Sequence, residues 1–208
     1  MITVCATGTT IKGFDISHWQ PTVDFTGLKA AGNAFCFIKA SEGVGTDISF
    51  DSHWPNAKKA GLITGAYHFF RAAVNPLEQA RTFADKVGKL GPEDLPCVMD
   101  WEVTDGTATQ LDRENGLQFL HSVEALTGKT PLIYGGPYFL TALALDPQFM
   151  RFGLWVAHYG PKCPLVPLPW HSWEFWQWNG TGTDNNLFNG TLDQLKELAT
   201  GPLISGAV

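Results

Sequence analysis

Residues 98–106 read VMDWEVTDG, an apolar pair running straight into Asp100, Trp101 and Glu102. Successive side chains of a strand point to opposite faces, so Asp100 and Glu102 share one face, about 6.6 Å apart at their Cα atoms. Trp101 takes the other face. Two carboxyl groups at the point where a strand leaves the interior suit the C-terminal mouth of a parallel barrel, where that face looks into a pocket. A lone D-x-E would equally suit a solvated loop, so its meaning depends on the segments around it.

Those segments alternate. IKGFDIS is followed by the helical pattern VDFTGLKAAG, AFCFIKA by SFDSHWPNAKKAG, and LITGAYHFF by NPLEQARTFADKVGKL. PCVMDWE precedes a helix expected over about 109–126, and PLIYG a short one over about 137–143. Past residue 150, GLWVAHY, EFWQWN and NNLFNG read as strands joined by Pro- or Gly-rich loops, and only LDQLKELA looks helical. Five strand–helix units and three nearly bare strands predict an α/β chain with a parallel sheet, closed as an irregular TIM-like (β/α)5(β)3 barrel in a single domain over 11–200. Residues 1–10 form a leader expected to be extended, and 201–208 a tail; both are expected to be mobile. A doubly wound open sheet is the alternative, but no GxGxxG or GxxxxGK[ST] follows any strand.

The composition narrows the partners. A net charge of -6, with no Lys/Arg run, lacks the basic footprint that nucleic acid or an anionic membrane requires. Hydrophobic residues make up 44% of the 208 and charged ones 16%, so one sizeable core is expected. Cys5, Cys36, Cys97 and Cys163 stand far apart with no CxxC, which reads as four core thiols rather than a disulfide framework or a zinc site. Six scattered histidines without HExxH add no metal site, and no cofactor is expected. MITVCATGTT has neither a charged start nor a long apolar stretch, so no secretion signal or membrane insertion is expected. The N-G-T sequons at Asn179 and Asn189 carry little weight without a secretory route.

Three more acids fall at strand ends: Asp15 in GFDIS, Glu42 in IKASEG and Asp184 in GTDNN. Carboxylates gathered in one mouth repel each other, so at least one should hold its proton near neutral pH. A protonated acid beside ionised ones is what glycosidic bond cleavage needs: one group protonates the leaving oxygen and another supports the developing positive charge.

The motifs GFDISHWQ, FIKASEG, AKKAGLITGAYHFF, VMDWE, LIYGGPYF, LWVAHY, FWQW and TDNNLF, in this order from about Gly13 to Phe188, resemble glycoside hydrolase family 25, the Chalaropsis-type lysozymes. The resemblance implies a five-plus-three barrel and hydrolysis of the β-1,4 bond between N-acetylmuramic acid and N-acetylglucosamine in bacterial peptidoglycan. The family's D-x-E falls on Asp100 and Glu102, its first-strand aspartate on Asp15, and its late D-x-N on Asp184 and Asn186. Phe25 stands where the family often has tryptophan, and Asn185 where an aliphatic residue is usual.

Glu102 is expected to be the general acid, its proton retained by the crowd of carboxyls, and Asp100 to orient the substrate's 2-acetamido group, whose oxygen would attack the anomeric carbon. Asp184 and Asp15 are the candidates should a protein nucleophile or base act instead. Lys39, flanked by apolar residues, needs an acidic partner, which the acid cluster would supply, and is a candidate substrate contact. Tyr67, Tyr134, Gln177 and one of the tryptophans at 170, 173, 176 and 178, taken as Trp176, are candidate sugar contacts. The chain is expected to be a monomer made in the bacterial or host cytoplasm and acting on the wall after release, as a phage endolysin or a bacterial wall-lytic enzyme that uses a holin or export machinery. An inactive glycan-binding barrel and a hydrolase of chitin-like polymers are the alternatives.

Overall fold

The strand runs close on themselves. The computed structural model describes residues 1–180 and 183–201. In chain order, β1 (Ile2–Thr3), β2 (Thr10–Ile16), α1 (Phe25–Ala30), β3 (Phe35–Glu42), β4 (Gly45–Thr46), α2 (Phe50–Lys59), β5 (Ile63–Phe69) and α3 (Pro76–Val87) make up the first part. Next come β6 (Val98–Asp100), α4 (Thr109–Thr127), β7 (Leu132–Gly135), α5 (Pro137–Ala142) and a 3-10 turn at Pro147–Arg151. Then β8 (Gly153–Ala157), β9 (Leu165–Val166), β10 (Phe175–Asn179), β11 (Asp184–Asn189) and α6 (Leu192–Thr200) follow.

Pairing runs β2–β3–β5–β6–β7–β8–β10–β11 and returns to β2, which closes an eight-stranded barrel with β4 as an appended hairpin strand on β3. Seven of these strands are parallel, whereas β11 is antiparallel to both neighbours, a departure from the all-parallel sheet that the alternation suggested. A parallel crossover needs a dozen or more residues, and only four separate β10 from β11, so the chain can only fold back as a hairpin. In consequence the start of β11, rather than its end, lies at the mouth, and Asp184 pairs in register with Asp15.

Alternation sorts each strand into an inner and an outer face. On β3, Phe35 and Phe37 join the inner cluster with Val98, Leu132, Trp155, Phe175 and Phe188, whereas Cys36, Ile38 and Ala40 join the outer one between barrel and helices. Phe37 stacks on Trp155 with ring centroids 4.5 Å apart, which fills the lumen below the mouth. The opposite position on β5 has to be glycine: a Cβ on Gly65 would come within 2.2 Å of the Phe37 ring. Above this aromatic layer the inward positions turn polar, at Asp15, Lys39, Tyr67, Asp100, Tyr134 and Gln177. The barrel is thus a packed base under a polar cup.

The outer helices begin where the sequence supplies caps. Asn75 accepts from the backbone N–H groups of Leu77 and Glu78 ahead of Pro76, and Thr191 with Gln194 forms a capping box on α6. Trp101 is fully buried among Phe70, Phe139 and Phe149. Phe25 is buried against Phe14 and His53, so its departure from the family pattern is a packing choice.

Two sequence expectations change here. Only Cys36 and Cys97 are buried free thiols; Cys5 and Cys163 form a disulfide across 158 positions. The leader is not loose, because β1 pairs with β9 and Val4 donates its N–H to the Pro164 carbonyl. Residues 202–208 of the tail lie outside the described residues. Closing so long a loop restricts the unfolded chain, so reduction is expected to lower the unfolding free energy by about 2–4 kcal/mol. Thermal unfolding with and without reductant checks this, and an unchanged Tm would contradict it.

Candidate active site

The polar cup holds four of the five acids that the sequence proposed. Two adjoining hollows of about 170 and 200 Å³ open at the mouth, and Asp15, Tyr67, Asp100, Glu102 and Asp184 line both. Asp15 and Asp100 are buried, Asp184 is half-buried, and Glu102, two residues past the end of β6, is exposed at the open side. Glu42 is the acid that does not join them. It pairs with Lys39 at 2.7 Å and with Arg71 at 3.5 Å outside the hollows. Lys39 therefore has an acidic partner, as expected, and its charge also acts on Asp100.

Burial, more than crowding, raises the acids. Desolvation lifts the Asp15 carboxyl to about 7, with the charges of Asp184 and Glu102 adding to it and hydrogen bonds from Asn186 and Gln177 opposing it. Asp100 is raised further by burial and then by contact with Glu102, while Lys39 pulls it down. Asp184 moves up through burial and the Glu102 charge. The sequence expected crowding among the carboxyls to hold a proton in the cup; in the folded chain burial is the larger cause, and it pushes Asp15 and Asp100 toward the neutral form.

Asp15 is held in one orientation. Gln177 and Asn186 each donate an amide N–H to its Oδ2 at 2.7 Å. Neither amide can turn over, because Gln177 Oε1 accepts the Tyr134 hydroxyl at 2.7 Å and also that of Tyr159, and Asn186 Oδ1 accepts the Trp155 indole N–H at 2.8 Å. With Oδ2 occupied as a double acceptor, the proton of neutral Asp15 belongs on Oδ1. Asp100 offers the complementary group: its Oδ1 is buried and, among the described residues, accepts no hydrogen bond.

Tyr67, Tyr134 and Gln177 all line the hollows, as the sequence suggested, but Tyr134 and Gln177 spend their polar groups on the Asp15 network. Trp176 does not reach the cup. Its side chain lies on the outer face, donating to the His158 carbonyl, and Trp170 and Trp173 likewise bond to the carbonyls of Phe152 and Val4. Trp178 is exposed but lines neither hollow. Besides Tyr67 and Tyr134, the aromatic residues that line the hollows are Trp155, Tyr159, Phe69 and the strongly exposed Trp19 on the lip. Strand alternation in LWVAHY could have pointed to Trp155; nothing in SHWQ marks Trp19 beyond its closeness to Asp15. Among the described residues no group of three or more His, Cys, Asp or Glu side chains is placed so that it could hold a metal ion.

Gly135 supports the D-x-E turn. A Cβ there would lie 2.8 Å from the Trp101 carbonyl oxygen, in the peptide that joins Trp101 to Glu102. Gly135→Ala is expected to cost about 1–3 kcal/mol of stability and to lower kcat by displacing both acids. Unfolding and turnover measured on the same preparation check it, and full activity would contradict the stated role of this contact.

Comparison with known proteins agrees with this geometry. The chain is 33% identical to Lysozyme M1 of Streptomyces globisporus over 91% of its own length and 71% of that protein. It is 30% identical to the N,O-diacetylmuramidase of Chalaropsis sp over 92% of its length and 100% of the relative. The solved muramidase of Trichobolus zukalii superposes with a TM-score of 0.87 at 35% identity, covering 92% of this chain and 99% of that one. The model of glycosyl hydrolases family 25 matches residues 14–187, a span that takes in Asp15, Asp100, Glu102 and Asp184, and the chain belongs to that family.

Proposed function

We propose that this chain is a muramidase that hydrolyses the β-1,4 bond between N-acetylmuramic acid and N-acetylglucosamine in bacterial peptidoglycan. The observation that carries the reading is the acid cup itself, with one exposed carboxyl at its open side and two buried ones behind it. Family membership and the lysozyme and diacetylmuramidase relatives support it.

Glu102 is the general acid. Its exposure lets a polymer bring the glycosidic oxygen to it, and its proton passes to that oxygen as the bond to the anomeric carbon breaks. Asp100 Oδ1 accepts the N–H of the substrate's 2-acetamido group, which turns the acetamido carbonyl oxygen toward the anomeric carbon. That oxygen closes a cyclic intermediate, and a water molecule then opens it, returning a proton to Glu102. Asp15, with a proton on Oδ1, donates to the substrate from the opposite wall, and Asp184 stands at the rim. The unpartnered Asp100 oxygen supports this scheme over one in which Asp15 or Asp184 attacks the sugar.

The net charge of -6 makes hydrogen bonding and stacking, rather than long-range attraction, the means of capture. A Cys5–Cys163 disulfide supports a working protein that acts in an oxidising setting outside the cytoplasm, reached after release by a holin or an export route. Digestion of purified peptidoglycan followed by identification of the new reducing ends is the test. Muramic ends are expected; glucosamine ends, or binding without release, would replace this reading with a different bond specificity or a glycan-binding barrel.

A further inference from the structure

The largest hollow near the site is not the acid cup. A basin of about 430 Å³ lies beside it, lined by His18, Lys39, Glu42, Asp47, Ile48 and the β4 backbone. Lys39 lines both the basin and the cup. The ridge between them is the His18–Trp19 pair, with ring centroids 4.6 Å apart, His18 facing the basin and Trp19 the cup.

The basin is built. Asp47 is buried and ties its two walls together, accepting from the backbone N–H of His18 at 3.2 Å and of Ser49 at 2.9 Å, and bonding His18 Nδ1 at 2.7 Å. The β3–β4 hairpin is thereby pinned to the loop after β2. Around this frame stand apolar side chains that the monomer leaves uncovered: Ile48 is 88% exposed and Val44 59%. Its lining carries both signs of charge, Lys39 paired with Glu42 at 2.7 Å, and Glu42 also reaches Arg71 beyond the basin at 3.5 Å.

We propose that this basin binds the peptide carried by the muramyl residue of the substrate, so that the enzyme selects peptide-bearing glycan over bare glycan. The inference rests on the muramidase reading and adds a recognition site to it. A sugar ring is neutral and is received on a flat aromatic platform, whereas this wall offers both signs of charge and short aliphatic side chains. A wall peptide brings the matching set: carboxylates, an ammonium group and small apolar side chains. It also branches from the sugar next to the scissile bond, and the basin adjoins the acid cup across a single lysine.

The test compares kcat/KM on peptidoglycan with kcat/KM on the same glycan after an amidase has removed its peptides. The natural protein is expected to favour the peptide-bearing form by about tenfold or more, and Ile48→Asp to reduce that ratio by about tenfold, the size expected for losing one buried aliphatic contact. Titration of the Glu102→Gln protein with muramyl dipeptide should shift the His18 imidazole resonances, and N-acetylmuramic acid alone should not. A ratio near one, an equal loss on both substrates with Ile48→Asp, or identical shifts from both ligands overturns the proposal, the second result marking the basin as a sugar subsite. Cleavage of neither substrate by the natural protein would instead remove the muramidase reading beneath it.

Discussion

Replacing Glu102 with glutamine is expected to lower kcat on peptidoglycan by about 10²- to 10⁴-fold, the contribution of a positioned general acid. The amide keeps the shape of the side chain but has no proton to give to the leaving oxygen. Because Glu102 is exposed and sits past the last residue of β6, the fold should not notice the change, and Tm should stay within about 2 °C. Substrate binding should survive as well, so the loss belongs to kcat rather than KM. Loss below tenfold would move the proton donor elsewhere in the cup, with Asp100 the first alternative because it is buried and in contact with Glu102.

Asp15→Asn is expected to have opposite effects on stability and activity. The folded-state carboxyl lies at about 7 against 3.8 for the free group, so between these values the folded protein holds a proton that the unfolded chain has released. Stability therefore falls as pH rises from about 4 to about 7, and the full penalty persists above that. Its size is about 4 kcal/mol as an upper figure for a group this well buried. Asparagine imitates the neutral acid: its oxygen accepts from Gln177 and Asn186, and its N–H₂ points into the cup where the Oδ1 proton would be. The variant should unfold at a higher temperature than the natural protein at pH 8, with the difference vanishing near pH 4. Activity should fall on the alkaline side least, since the natural enzyme loses the Asp15 proton there and the variant does not. Equal Tm values at pH 8 would mean that Asp15 is not carried neutral in the folded chain.

The two variants separate roles that the amino-acid sequence could only list together. D-x-E, the first-strand aspartate and the late D-x-N were legible as acids at strand ends, and four of the five acids so identified do line one cup. The fifth, Glu42, was drawn away by Lys39, three residues before it on β3, and by Arg71, which becomes adjacent only when β3 pairs with β5. Which acid is deprived of water was also beyond reach, because desolvation depends on depth in the barrel and not on spacing along a strand. The orientation of Asp15 required Tyr134, Trp155, Tyr159, Gln177 and Asn186 to converge from separate segments.

By itself the sequence determined the barrel, its five helical units followed by bare strands, and which acids stand at strand ends, because periodicity and strand-end chemistry are local properties. Tertiary structure decided which face of each strand looks inward. A barrel strand is buried on both faces, so in EFWQWN apolarity could not choose between Gln177 and Trp176, and contact with the helices and loops outside made the tryptophan structural. The same holds for the Cys5–Cys163 link, which joins parts of the chain brought together only by closure of the sheet, whereas the direction of β11 follows from the four-residue connection after β10.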